Sequence, residues 1–408
     1  MATYIGGIFL SAFLLFQVQP MIAHYILPWF GGTNSVWSAV VLFFQLALIG
    51  GYLYAHWLNE SVPQRRQWQI HSALLGFALT LIALTGFFWP SPVTPAASWK
   101  PTADTQPILH IFLLLTISVG LPYFTLASNS PLVQAWFSRT YAGRSPYWLY
   151  ALSNFGSMFG LLSYPFIVEP TLRLQEQGWL WSALYALFAL LTGYGAWRAA
   201  VSDGKPTWSH SDKKASPLAL PKIPLGRRFL WLLLSAIATL MLLAVTNRLS
   251  QEVAPVPLLW TLPLSVYLLS FIIAFSGENY YNRLGFSLLL TITSIGIIFT
   301  SLRPQMPLWL QISFYLLFLF AICMIAHGEL YRLRPAPAHL THFYLLLSIG
   351  GALGGIIVNF LAPLLFNDYW EFYLGWLAIY LLLIFFAPAT QPARYKRRTF
   401  SLIGFLAV

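Results

Sequence analysis

Charge is scarce in this sequence. Only 8% of its 408 residues are Asp, Glu, Lys or Arg, where a soluble domain carries about a quarter. That scarcity excludes an ordinary water-facing globular surface. Cysteine occurs once, as Cys323 inside an apolar run, which excludes an internal disulfide and any multi-cysteine metal site. Acidic residues number eleven, and all of them fall at the ends of apolar runs or between them. No carboxylate therefore stands mid-membrane, where proton-coupled carriers of cations usually keep one. The N-terminal stretch MATYIGGIFLSAFLLF has neither a basic segment nor a small-residue cleavage signal, so it reads as a first span and not as a signal peptide.

What is abundant is apolar: 58% of the chain is hydrophobic and 17% aromatic. Runs of spanning length recur almost throughout, and a helix needs about 20 such residues to cross a bilayer core. Twelve spans are expected near 4–27, 35–58, 68–89, 107–128, 146–168, 178–197, 229–247, 254–276, 284–302, 307–327, 341–366 and 372–388. A thirteenth begins near Thr399 in a basic terminal segment, 389–408, and is too short to cross. The fold class predicted is an all-α polytopic membrane protein.

The net charge of +11 does not point to nucleic acid, because the basic residues lie between spans. Eighteen of the 22 lysines and arginines fall in loops on one side; the other side holds Lys100, Arg173, Arg248 and Arg303. Basic loops stay in the cytoplasm, so a cytoplasmic N-terminus in an inner membrane is expected. The polar stretch 199–228, rich in Ser, Pro and Lys, reads as a cytoplasmic linker. It is either a solvated segment attracted to anionic lipid or a regulatory one.

A repeat organises the rest. YALSNFGSMFG begins at Tyr150 and YLLLSIGGALG at Tyr344; they share Tyr, Leu and both glycines of a G-x-x-x-G step. They fall in spans five and eleven, the same place in two six-helix halves, 1–198 and 229–388. Parallel six-helix repeats are the mark of major-facilitator-type transporters. Gly156 and Gly160, like Gly350 and Gly354, lie one turn apart on a helix face, where a neighbour can approach closely. Fixed packing and a sliding interface are both open readings.

Longer strings go beyond that general pattern. FLLFQVQPMIAHYILPWFGGTNSVWSAVVLFFQLALIGGYLYAHWL (13–58), SPYWLYALSNFGSMFGLLSYPFIVEP (145–170), PVPLLWTLPLSVYLLSF (255–271) and HGELYRLRPAPAHLTHFYLLLSIGGALGG (327–355) resemble the membrane region of the bacterial fused major-facilitator/spermidine-synthase-like family. The resemblance implies a following aminopropyltransferase-like domain that binds decarboxylated S-adenosylmethionine and a polyamine. No dinucleotide-type glycine loop occurs here, so none of that enzyme's catalytic or cofactor residues maps onto this chain. Where ordinary major-facilitator carriers have a gating Asp after span two, GYLYAHWLNESVPQRR places Ala55.

Polar residues within spans are the candidate solute contacts: Gln17, Gln19 and His24 in span one, Gln45 in span two, and Asn154 in span five. Gln17 and His24 share a helix face at seven-residue spacing, with Pro20 between them as a kink candidate. Interhelical hydrogen bonding is the other reading of this set. His327, Glu329, Arg332 and Arg334 close span ten near His339 and His342. They read as a cytoplasmic salt-bridge and cap cluster or as a proton-sensitive latch, and their spacing is no recognised metal motif. The partners expected are the lipid bilayer, a small solute such as a polyamine or amine metabolite, and a fused or associated enzyme domain. A non-transporting anchor and a stand-alone transporter are the alternatives.

Overall fold

The computed structural model describes residues 1–31, 34–101, 106–141, 143–202, 223–252, 261–303 and 305–386. Most of the linker at 199–228 and the whole of 389–408 lie outside these residues. Among the described residues there is no strand, and twelve principal helices follow one another: α1 (Ala2–Phe30), α2 (Asn34–Ser61), α3 (Gln64–Phe88), α4 (Pro107–Thr140), α5 (Trp148–Thr171), α6 (Leu174–Ser202), α7 (Leu225–Glu252), α8 (Thr261–Ser276), α9 (Arg283–Leu302), α10 (Leu308–Arg332), α11 (Pro337–Leu365) and α12 (Trp370–Phe386). Ten stretches of the described residues are long and apolar enough to cross a membrane; α8 and α12, as described, are apolar but shorter. Large apolar side chains such as Phe87, Ile292, Leu302 and Leu364 stand exposed, as a lipid-facing surface requires and a water-facing one penalises.

The helices are not uniform. α4, α5 and α11 each contain one wide π-helical turn, at Thr116–Gly120, Tyr164–Val168 and Ile357–Leu361. Each has a proline within it or two residues beyond it: Pro165, Pro122 and Pro363. A proline offers no N–H to the carbonyl four residues back, and the wide turn is one way the backbone absorbs that loss. α1, by contrast, continues as helix through Pro20 and Pro28 and ends at Gly31, whose φ of 84° is the left-handed region glycine favours. Span four also differs from expectation. Asn129-Ser130-Pro131 reads as a stop, yet the helix runs on to Thr140, because those polar groups find partners inside the protein.

The described residues fall into two compact units, Met1–Arg228 with Pro335–Ser348, and Phe229–Arg334 with Ile349 onward. In the first unit α1 packs along α5. A Cβ on Gly156 would sit 2.6 Å from the Phe9 carbonyl oxygen, and one on Gly160 2.6 Å from that of Phe13. In the second unit Gly350 meets the Leu232 carbonyl, 2.5 Å from where a Cβ would lie, and Gly354 meets that of Ala236. Phe9 to Leu232 and Phe13 to Ala236 are the same step, 223 positions. The glycine faces therefore dock in one register on α1 and on α7. Both pairs leave no room for even a methyl group.

Candidate functional site

The first unit holds a connected interior of amides and hydroxyls. Asn129, fully buried on α4, donates to the Gly7 carbonyl at 3.0 Å and to Ser11 Oγ at 2.8 Å, while its Oδ1 accepts from Thr192 at 3.1 Å. One amide thus ties α1, α4 and α6. One turn further along α4, Gln134 Nε2 donates to the Ser130 carbonyl and hydroxyl, both at 3.2 Å. Its Oε1 accepts from the Tyr344 hydroxyl on α11 at 2.8 Å.

Tyr344 stacks on Tyr150, with ring centroids 4.7 Å apart and planes inclined by 24°. These are the two leading tyrosines of the repeat. Beside them the Tyr147 hydroxyl donates to the Pro335 carbonyl at 2.5 Å. Towards the other end of α4, Gln19 Nε2 donates to the Tyr123 hydroxyl at 3.1 Å. Tyr52 of α2 lies near both Tyr123 and Tyr344. The set is polar, aromatic and uncharged.

The other expected residues are placed differently. Gln17 and His24 do share a face, and it is turned to α5: Gln17 Nε2 donates to the Gly160 carbonyl at 3.0 Å and to Ser163 Oγ at 2.8 Å. His24 Nε2 lies 2.8 Å from Glu169, both half-exposed. Gln17 also borders a cavity of about 50 Å³ walled by Phe13, Tyr164, Gln177 and Trp181. Asn154 donates to its own helix, at the Tyr150 carbonyl 2.8 Å away. Gln45 is half-buried on α2. Neither Asn129 nor Gln134 stood out in the sequence, because both lie beyond residue 128, where span four was expected to end.

The polar end of α10 separates into two environments. Glu329, 4% exposed, accepts from the Tyr281 hydroxyl at 2.9 Å and faces Arg283 at 3.8 Å and Arg332 at 3.4 Å. Arg332 also lies over the Tyr281 ring, 4.7 Å from its centroid. Arg334 pairs with Glu278 at 2.7 Å. His327 instead points inward: Nδ1 shares a hydrogen bond with Ser270 Oγ at 2.9 Å, the ring stacks on Phe271, and the buried Nε2 has no partner. His339 and His342 belong to the first unit. Among the described residues no three His, Cys, Asp or Glu side chains form a metal-holding group.

Ala55, in the place of a gating Asp, is fully buried. The link at this end of the spans is made by Arg139 on α4. It donates to Asn59 of α2 and, at 3.3 Å, to Gln67 of α3. Gln67 accepts from Trp136 as well, at 3.0 Å. The side-chain amides of Asn59 and Gln67 thus both accept from Arg139 near Ala55.

No family model matches the chain, and no curated protein matches it. Solved structures do. The chain is similar to the proton:xylose symporter XylE bound to 6-bromo-6-deoxy-D-glucose, with 14% identity over 94% of this chain and 95% of that one and a TM-score of 0.56. It is similar also to XylE from E. coli in an inward-open conformation (14% identity, 94% of each chain, TM-score 0.55). A third is a bacterial homologue of the iron transporter ferroportin in an outward-facing state (12% identity, 92% of this chain and 97% of that one, TM-score 0.59). The likeness does not reach the fused spermidine-synthase-like family. At these identities it establishes the fold alone: the described residues have the multi-pass, all-helical membrane architecture of major-facilitator structures.

Proposed function

We propose that this chain is a membrane module that binds and moves a small solute, with the amide–tyrosine interior of its first unit as the solute-facing surface. The observation that carries the reading is the Gln134–Tyr344–Tyr150 assembly, continued by Gln19, Tyr123 and Tyr52. Such groups donate and accept hydrogen bonds and offer ring faces, but they supply no counter-charge. They suit a neutral polar solute, or an amine held through cation–π contact at about 0.5–2 kcal/mol per ring. A polyamine or amine metabolite is the finer reading and rests on the family resemblance. The halves 1–198 and 229–388, an inner-membrane location and a cytoplasmic N-terminus belong to the same proposal.

The second reading is an anchor for an aminopropyltransferase-like domain. It is favoured by Gln17, whose amide donates to two protein acceptors, and by Asn154, which donates to its own helix. A thermal-unfolding panel of spermidine, putrescine, D-xylose and ferrous iron on the purified protein separates the two. The carrier reading expects at least one solute to raise the midpoint and Gln134→Leu to remove that shift. No shift with any of them supports the anchor.

A further inference from the structure

We propose that His56, His339 and His342 form a proton-operated latch that holds the start of α11 on the end of α2 at neutral pH and releases it in acid. The closed contact is small and specific. His56 Nδ1 shares a hydrogen bond with Thr341 Oγ1 at 3.1 Å, and Asn59 Nδ2 reaches the same hydroxyl at 3.5 Å. The His56 and His342 rings meet with centroids 5.4 Å apart. Nε2 of His339 and Nε2 of His342 are buried without partners, as is Nε of Arg228.

The charges facing this contact are unbalanced. Arg228, at the first turn of α7, acts on His342 together with His56 and His339, and Glu60 is the one opposing charge among those groups. Arg139, from α4, reaches Asn59 beside it. One carboxylate can offset a first proton on the imidazoles. A second proton meets His⁺ and Arg228 at close range, with no further acid to match it. Like charges this close on half-buried side chains repel, so acid favours the separated arrangement. Imidazole is the side chain whose charge changes as the pH falls through the mildly acid range, and a contact that resists the second proton takes it up on opening. The latch is independent of whether the module carries a solute or anchors an enzyme.

The test uses the full chain with Cys323→Ala and nitroxides on Ser61→Cys and Ala338→Cys, both exposed positions. Spin-echo distances are read at pH 7.5 and pH 5.5. The expected result is a single short distance at pH 7.5 and a longer population that dominates at pH 5.5, reversibly. His56→Gln with His342→Gln should abolish that shift. The same distribution at both pH values, or a shift that persists in the double variant, overturns the latch. Where the double variant fails to fold, His342→Arg decides. The longer population should then be present already at pH 7.5, and an unchanged short distance refutes the proposal.

Discussion

At the scale of single residues, many of the polar side chains buried among the described helices have a named partner, so a substitution at one of them disturbs a definite contact. Glu329 shows the largest stake. It is buried with Arg283 and bonded to Tyr281, and breaking one side of a buried ion pair costs about 3–5 kcal/mol. Glu329→Ala should therefore lower the thermal midpoint far more than Tyr281→Phe, which removes one hydrogen bond worth about 1–3 kcal/mol. Equal midpoints for the two variants would show that the charge pair contributes little.

Spacing in the sequence was enough to put Gln17 and His24 on one face. What that face meets, the Gly160 carbonyl and Glu169, depends on helix packing that no local pattern encodes. Asn129 was illegible for a different reason. Its neighbours Ser130 and Pro131 are turn formers, and only Gly7, Ser11 and Thr192 make that stretch helical interior.

At the scale of elements, helix α5 on α1 and helix α11 on α7 repeat one contact. Each places two glycines against two carbonyls in the same register, and each has a wide turn shortly beyond the glycines. Gly156→Ala and Gly350→Ala should each destabilise by about 1–3 kcal/mol, the usual cost of forcing a methyl group into a packed contact. Gly76 on α3 has open space around it. There alanine should instead stabilise, by up to about 1 kcal/mol through helix propensity alone. Thermal unfolding of the three variants checks this, and a harmless Gly350→Ala would break the equivalence. The glycine step was visible in the sequence because it depends on residue type and spacing. The wide turns were not, since the prolines that accompany them also read as helix ends.

At the scale of the whole molecule, the major-facilitator fold and ten membrane-length helices among the described residues were legible because hydrophobic length is a one-dimensional signal; α8 and α12 are shorter than the spans expected there. The proposed solute-facing surface was legible only in part. Of the residues expected there, Gln19 joins the amide–tyrosine interior, while Gln17, His24 and Asn154 bond elsewhere. Tyr150 and Tyr344 were seen as repeat markers and not as a stacked pair. Aromatic residues are common throughout a membrane protein, and their meeting is a property of the fold.

The most direct test of a carrier's interior is access from both sides of the membrane. Ser130, buried beside Gln134, is replaced by cysteine in a Cys323→Ala background, and sealed vesicles are exposed to a small membrane-impermeant thiol reagent inside or outside. A module that moves a solute past this surface predicts modification from either side, and faster than at Ala78→Cys in the closed core. Modification from one side only, or from neither, would contradict the account.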